Sequence, residues 1–314
     1  MSRRTVGVDV GGTKVLAVAV DPAAPTEVLA SARVSTPTGG SAIVQAIAEV
    51  VHQVDSDPTH EVGVGVAGLV DRNGVVWTSP NLRGVDRFDL RNELVGRLGR
   101  HVVIENDATA AAMAEARFGA GVGRTDVIFV ALGTGIGGAL VVDGQVRRGV
   151  NGFAGEFGHM IVERGGVRCV CGRRGCWERY ASGAALERMA HDREQAGDWQ
   201  GRPLATAISG EEIIEAARVG HPTAILVLDE FSGWIGLGVA NLVAALDPQC
   251  VILGGGVLDA GDVLLEPIRS AVRASLFGVE RRPDVEVVAA TLGSMAGAVG
   301  AALLAAESIT DPPP

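Results

Sequence analysis

The chain almost lacks lysine, because Lys14 is the only lysine among its 27 basic residues. A bias of this kind is typical of genome composition, so the net charge of −10 by itself does not identify a binding partner. Broad nucleic-acid-binding surfaces are basic, and an acidic chain disfavours a surface of that kind. We therefore expect no nucleic-acid partner.

Long apolar runs are also absent. No uninterrupted run reaches the ~18 residues that a membrane helix needs, and the closest stretch, residues 295–306, is short and rich in small residues. Asp9 falls where the apolar core of a signal peptide would begin. The sequence therefore predicts a cytoplasmic protein with no membrane partner.

Cysteine is scarce, and three of the four cysteines, Cys169, Cys171 and Cys176, lie within eight residues. In a cytoplasmic protein such a cluster indicates a metal or redox site rather than a disulfide framework. With His159 they can form a tetrahedral Cys₃His zinc site, which would be structural because it leaves no position for water. The alternatives are a redox pair, disfavoured because no C-x-x-C occurs, and buried cysteines beside a surface histidine. Cys250 lies in an apolar run and is predicted to be a core residue.

Glycine, by contrast, is abundant: 44 of the 314 residues are glycine, about twice the ordinary usage. Two glycine loops join pairs of Val-rich runs that predict strand, tight turn and strand. These loops are residues 11–14, between runs 5–10 and 15–21, and residues 133–138, between runs 126–132 and 139–142. The repeated plan, about 120 residues apart, predicts two related lobes that each open with a glycine hairpin.

Neither loop fits the nucleotide motif that it superficially matches. Residues 11–14 place Thr13 before Lys14 and lead into a strand, whereas a P-loop requires Lys before Ser or Thr and leads into a helix. Residues 133–138 match G-x-G-x-x-G, yet a predicted strand follows instead of the required helix. Such hairpin loops are either structural turns or backbone cradles for phosphate, and a third glycine loop at 254–256 favours phosphate binding.

Two acidic residues are candidates for the chemistry. Asp9 precedes the first glycine loop and is placed to hold Mg²⁺ through water. Asp107 lies where the predicted strand 102–105 meets the Ala-rich helix 108–118. It is either a helix N-cap or a general base that takes a proton from a substrate hydroxyl during phosphoryl transfer.

The rest of the chain alternates between helical and strand patterns, which predicts an α/β fold. The predicted helices are 41–54, 108–118, 212–218, 224–246, 263–276 and 294–307, and the further predicted strands are 62–70, 102–105, 250–253 and 285–289.

Six segments, in chain order, resemble the ROK family of sugar kinases and repressors, and within it the branch of ATP-dependent glucokinases. They are residues 9–14, 105–108, 132–138, 156–159, 169–178 and 254–256. The cysteine segment is the most specific of them. The resemblance implies a two-lobed actin-like, ribonuclease H-like α/β fold with ATP and sugar in the cleft. It implies a small lobe of residues 1–108 plus about 298–314 and a large lobe of residues 109–297, with a zinc-binding segment at 159–176.

The resemblance also implies the residues of the site. Asp107 would be the base for the 6-hydroxyl of a hexose, with glucose as the expected sugar. The residues implied for sugar binding are Asn81, Asn106, Asp107, Glu156, His159 and Glu178. Those implied for nucleotide binding are Asp9, Gly11, Gly12, Thr13, Lys14, Gly133, Thr134, Gly135, Gly254, Gly255 and Gly256. The zinc ligands would be His159, Cys169, Cys171 and Cys176, with the second ring nitrogen of His159 facing the sugar.

The implied cofactors are ATP, Mg²⁺ and structural Zn²⁺, and the implied assembly is a homo-oligomer, either a dimer or a tetramer. The first predicted strand starts at Thr5, so we expect no helix-turn-helix of the kind that the family's repressors carry. Relatives that use polyphosphate generally lack the cysteine segment, which favours ATP as the donor. The alternatives are a catalytically silent sugar sensor, a kinase for mannose, fructose or an N-acetylated amino sugar, and an actin- or chaperone-like ATPase.

Overall fold

A computed structural model describes residues 4–199 and 208–310, so the outermost residues of the predicted small lobe, 1–3 and 311–314, lie outside the described residues. The strands are β1 (Thr5–Val10), β2 (Lys14–Val20), β3 (Val28–Ser35), β4 (Val62–Val66), β5 (Leu69–Val70), β6 (Val75–Thr78), β7 (Asp86–Asp89), β8 (Val102–Asn106), β9 (Val127–Leu132), β10 (Ile136–Val142), β11 (Gln145–Val146), β12 (Cys250–Gly254) and β13 (Glu286–Ala289). The α-helices are α1 (Gly40–Val54), α2 (Leu90–Leu98), α3 (Asp107–Phe118), α4 (Glu178–Ala181), α5 (Gly183–Gln195), α6 (Gly210–Arg218), α7 (Pro222–Leu246), α8 (Asp262–Ser275) and α9 (Ala296–Thr310).

Two five-stranded sheets share one topology. Their strand orders are β3-β2-β1-β4-β8 and β11-β10-β9-β12-β13, so each runs third, second, first, fourth, fifth along its own part of the chain. In the first sheet β1 pairs antiparallel with β2 and parallel with β4, and in the second β12 is parallel to β9 and β13. The α/β class and the internal repeat predicted from the two glycine hairpins are therefore confirmed. A smaller sheet, β5-β6-β7, has no counterpart among the sheets of the described residues.

The chain divides into two compact units, of which the first comprises the described residues within Met1–Asp126, Ala139–Gly155 and Thr291–Pro314. The Val-rich strands β1 and β4 are buried on both faces, as parallel strands covered by helices usually are. Helix α1 packs on one face of this sheet, and α3 packs with α9 in a second apolar cluster. Residues 109–126 are part of this unit, in which α3 lies against α9, whereas the family resemblance implied that they lie in the large lobe.

Glycine allows α9 to approach the sheet and α3 at backbone distance. A methyl group on Gly7 would overlap the carbonyl oxygen of Ala298, and one on Gly63 would overlap that of Ala301. These positions tolerate no side chain, because the obstructing atoms belong to helix backbone, which cannot move as a flexible side chain can.

Gly63→Ala should destabilise the protein by about 1–3 kcal/mol or more, because an overpacked core forces the backbone to shift. Gly96→Ala is the matched control. Gly96 lies inside α2 with no atom within 4 Å of its added methyl group, so this change should stabilise by about 0.4–1 kcal/mol. Denaturant unfolding of both variants measures the difference, and equal stabilities would contradict the close packing of α9.

The second unit comprises the described residues within Val127–Gly138 and Glu156–Ala290. Its longest helix, α7, has the length and mean hydropathy (1.4) of a membrane span, but 61% of the apolar window is buried inside the protein. The indole N–H of Trp177 donates to the carbonyl oxygen of Trp234 at 2.8 Å, and Gly238 leaves room for the Trp177 ring. We interpret α7 as a core helix, although the sequence indicated residues 295–306 as the stretch closest to a membrane span.

Candidate active site

Two carboxylates meet at the carboxyl ends of the parallel strands of the first unit. Asp9 lies on β1 and pairs in register with Gly65 on β4, which in turn pairs with Glu105 on β8. Asp107 follows at the first position of α3. Since ligands bind at the carboxyl ends of strands in open α/β sheets, this edge is the natural position for a reaction centre.

Burial raises the pKa of both carboxylates. The pKa of Asp9 rises to about 7, chiefly through burial and secondarily through the charge of Asp107, while the charge of Lys14 opposes the rise. Burial also raises the pKa of Asp107, against the opposing hydrogen bond from the backbone N–H of Ala108. The structure thus gives Lys14 an electrostatic role for which the sequence provided no basis.

Asp9→Asn should stabilise the free protein at alkaline pH. The pKa of Asp9 is about 7 in the folded chain and near 4 when unfolded, so the folded state binds more protons between these values. The free energy of unfolding therefore decreases as the pH rises from about 4 to 7, by at most about 4 kcal/mol. Asparagine does not ionise, so the variant should unfold at the higher temperature at pH 8 and at nearly the wild-type temperature at pH 4. Thermal melts without Mg²⁺ or nucleotide test this, and a pH-independent difference would contradict it.

Asn106, and not Asp107, is the N-cap of α3. The side-chain oxygen of Asn106 accepts the N–H of Thr109 at 3.0 Å, and its amide donates to the carbonyl oxygen of Gly68 at 3.0 Å. Asp107 occupies the first helical position, where its carboxylate accepts the N–H of Ala108 at 2.8 Å. The N-cap alternative for Asp107 is therefore wrong, because the preceding residue already fills that role, and the half-buried carboxylate of Asp107 is not needed to begin the helix.

The first glycine loop forms the tip of the β1–β2 hairpin. The N–H of Gly11 donates to the carbonyl oxygen of Lys14 at 3.0 Å, which closes the turn. Gly12 and Thr13 are exposed at the tip, and a methyl group on Gly12 would lie 3.3 Å from the backbone oxygen of Asn81. The structure therefore brings the loop predicted to bind phosphate beside Asn81, which the resemblance assigned to the sugar.

In the second unit the other two glycine loops lie together. Gly255, with a φ of +90°, packs against the carbonyl oxygen of Leu132, immediately before the loop of residues 133–135. The N–H of Gly183 at the start of α5 donates to the carbonyl oxygen of Gly133 at 2.8 Å. A methyl group on Gly135 would lie 2.9 Å from a carboxylate oxygen of Glu178. The loops predicted to bind nucleotide thus adjoin a carboxylate predicted to bind sugar.

His159, Cys169, Cys171 and Cys176 converge in the second unit, with their ligand atoms all within 4.8 Å of one another. The sulfur atoms of Cys171 and Cys176 are 3.5 Å apart, and the Cys169 sulfur lies 3.9 Å from Nδ1 of His159. Tetrahedral zinc with ordinary bond lengths places ligand atoms about 3.5–3.8 Å apart. The three thiols and one imidazole therefore fit a structural zinc site, in agreement with the sequence prediction. Cys250 is fully buried in β12, as predicted.

The imidazole of His159 joins this cluster to two carboxylates. Its Nδ1 atom faces the cysteines and lies 3.7 Å from Glu178, whereas Nε2 lies 3.9 Å from Glu156. Glu178 also accepts from the thiol of Cys169 at 2.9 Å. One ring nitrogen of His159 is thus directed to the metal cluster and the other to the exposed Glu156, an arrangement suited to hydrogen-bonding several hydroxyls at once.

The sequence profile of the ROK family matches residues 5–308. The chain belongs to the ROK family.

Several known proteins are similar to this chain over nearly its whole length. The glucokinase of Streptomyces coelicolor is 43% identical over 314 residues, covering 96% of this chain and 98% of that protein. The glucokinase of Thermotoga maritima is 35% identical over 321 residues, covering 98% of each. The crystal structure of a ROK family glucokinase from Streptomyces griseus in complex with glucose and AMPPNP superposes with a TM-score of 0.86 at 43% identity, covering 97% of this chain and 99% of that chain.

Two contacts of this ROK chain could not be predicted from its sequence. Glu105 lies in one of the six segments that resemble the family and had no predicted role, yet it is buried and ion-paired with Arg148. Gly297, near the start of α9, lies so close to Asp9 that an added methyl group would be 3.1 Å from the Asp9 carboxyl carbon. No local pattern reveals either contact, because the partners are 43 and 288 residues apart in the chain.

Proposed function

We propose that this protein transfers the γ-phosphoryl group of ATP to the 6-hydroxyl of a hexose, with D-glucose as the preferred sugar. The observation that carries the proposal is the half-buried Asp107 at the end of β8, which has a raised pKa and no capping duty. A carboxylate placed within reach of a substrate hydroxyl can take its proton in the transition state. The full-length similarity to glucokinases, one of them solved with glucose and AMPPNP, supports the donor and the sugar.

In the proposed reaction the 6-hydroxyl oxygen attacks the γ-phosphorus of ATP. The new O–P bond forms as the bond to the β–γ bridging oxygen breaks, ADP leaves, and the hydroxyl proton passes to the carboxylate of Asp107. Asp9 would hold Mg²⁺ through water, which would supply positive charge beside the phosphates, and the glycine loops would donate backbone N–H groups to the phosphates. The phosphate contacts are assigned to Gly11, Gly12, Thr13, Lys14, Gly133, Thr134 and Gly135, and the nucleoside contacts to Gly254, Gly255 and Gly256.

The sugar is proposed to be held by hydroxyl contacts, assigned to Asn81, Asn106, Asp107, Glu156, His159 and Glu178. Zinc would bind His159, Cys169, Cys171 and Cys176, and when bound it supplies rigidity, because four protein ligands leave no position for substrate or water. The clustering of His159, Glu156 and Glu178 around those ligands supports this assignment.

A coupled assay with MgATP and a panel of hexoses tests the proposal. Glucose, mannose, fructose and the N-acetylated amino sugars differ by single groups, so the panel ranks them by kcat/KM. We expect ADP and glucose 6-phosphate, with glucose ranked first. Sugar binding without turnover would favour the silent sugar sensor, and sugar-independent ATP hydrolysis would favour the actin- or chaperone-like ATPase.

We further propose that the protein acts in the cytoplasm as a homo-oligomer, a dimer or a tetramer. Light scattering coupled to size-exclusion chromatography measures the mass directly, and a mass near 32.2 kDa would contradict the assembly.

A further inference from the structure

We infer that Arg148, through the buried carboxylate of Glu105, positions the end of β8 for phosphoryl transfer, a role that rests on the function proposed above. Arg148 is a positioning residue, because it acts on the Asn106–Asp107 segment only through Glu105. The group it positions is the base itself, so the effect should fall on turnover more than on sugar binding.

Arg148 supplies the countercharge for the buried carboxylate of Glu105. The residue is 6% exposed, and one carboxylate oxygen accepts from Nε of Arg148. In the described part of the chain, Arg148 is the cation that forms an ion pair with Glu105. Although the Arg148 side chain is 35% exposed, its removal leaves the buried carboxylate of Glu105 without a countercharge, and the surrounding structure must shift to relieve this.

The other carboxylate oxygen of Glu105 reaches the site directly. It accepts the backbone N–H of Asn106, the last residue of β8, at 3.0 Å. The side chain of Asn106 caps α3 and donates to Gly68, so this one residue links Glu105, the helix and the strand edge. Asp107 is the next residue, so a shift of Asn106 would move its carboxylate as well. A displacement of about 1 Å in a reacting group is enough to cost about 100-fold in rate.

The loop after β11 is anchored so that it presents Arg148 at a defined place. The guanidinium of Arg72 donates to the carbonyl oxygen of Gly149 at 3.0 Å. The rings of Trp77 and Phe153 pack edge to face with centroids 6.5 Å apart. Arg72 lies between β5 and β6 and Trp77 lies on β6, so both anchors hold the loop against this part of the chain. The Arg148–Glu105 ion pair thus links the loop after β11 to the end of β8.

The chain supplies its own control at the adjacent residue. Arg147 pairs with Asp143 at 2.9 Å, and the two side chains are 44% and 78% exposed. Exposed pairs of this kind contribute little to stability. Arg147→Met therefore removes the same charge, one position away, without touching Glu105.

The test compares wild type, Arg148→Met, Arg148→Lys and Arg147→Met in steady-state assays with MgATP and glucose. Arg148→Met should lower kcat by about 10- to 100-fold while the KM for glucose changes by less than about threefold. Arg148→Lys should recover part of that loss because it keeps a cation beside Glu105. Arg147→Met should stay within about twofold of wild type.

A second variant separates positioning from simple loss of folding. Glu105→Gln combined with Arg148→Met removes the unpaired buried charge and keeps an oxygen for the N–H of Asn106, so its kcat should exceed that of Arg148→Met. This double variant and Arg148→Lys carry the test if Arg148→Met does not fold. A kcat for Arg148→Met within twofold of wild type, or a double variant no faster than Arg148→Met, overturns the inference. Absence of turnover in wild type itself refutes instead the proposed function.

Discussion

Asp107→Asn should lower kcat for hexose phosphorylation by about 10²–10⁴-fold, the contribution expected of a positioned general base. Asparagine keeps the shape and one oxygen of aspartate but accepts no proton at neutral pH. It can still take the N–H of Ala108, the carboxylate's bond in the structure, so the start of α3 should be preserved. Because Asn106 provides the N-cap, the helix does not depend on the charge of Asp107. Glucose affinity should change by less than about threefold.

The pH dependence of kcat/KM provides a second test of the role of Asp107. Burial raises the pKa of Asp107, and only the ionised form acts as a base. Wild-type kcat/KM should therefore fall as the pH is lowered through that pKa, with a limb that rises toward alkaline pH. The residual activity of Asp107→Asn should lack this limb. An unchanged acid limb in the variant would assign it to another group, such as Asp9.

Asp262→Asn is the matched control for Asp107→Asn. Asp262 is also the first residue of a helix, α8, and it is exposed. The two substitutions therefore make the same chemical change at the same helical position. Only Asp107→Asn makes it at the strand edge that carries Asp9. Steady-state rates and calorimetric glucose binding should separate them. Near wild-type turnover in Asp107→Asn would refute the assignment of the base.

Cys176→Ala should abolish stoichiometric zinc binding and weaken glucose binding by at least about tenfold, the usual cost of disturbing groups that orient a site. Cys176 is fully buried and its sulfur lies 3.5 Å from that of Cys171, so alanine removes one of four ligands at the centre of the cluster. His159 then loses the constraint on its Nδ1 side, and its Nε2 atom is no longer held toward Glu156. Metal analysis should find about one zinc per wild-type chain, as four protein ligands hold one ion.

Cys250→Ala provides the control for Cys176→Ala. Cys250 is equally buried, but it lies in β12 outside the cluster. Its substitution also removes a buried thiol, so it reproduces any general packing loss while leaving the four ligand atoms in place. Zinc content and glucose affinity should then stay at wild-type values. Metal-free Cys176→Ala that binds glucose as tightly as wild type would refute the scaffold role of the metal.

Local chemistry made several features of this protein readable from sequence. Apolar runs interrupted by glycine loops predicted the hairpins β1–β2 and β9–β10, since the alternation of strand and turn is encoded within a few residues. The ligand spacing of the cysteine segment predicted the cluster in the same way. The short helix α2 and the three-stranded sheet β5-β6-β7 were missed, because their weak patterns depend on packing for stability.

The class of fold, its duplication, the family and the four residues of the Cys₃His cluster could therefore be predicted from sequence, because each rests on short motifs whose own residues are close together in the chain. The folded chain was needed to show which residue caps α3, what Lys14 does to the pKa of Asp9, and which cation neutralises Glu105. These depend on contacts between residues far apart in sequence. Burial also contributes, because it changes the free energy of a charged group. The size of that change cannot be read from the residue's type or from its neighbours in sequence.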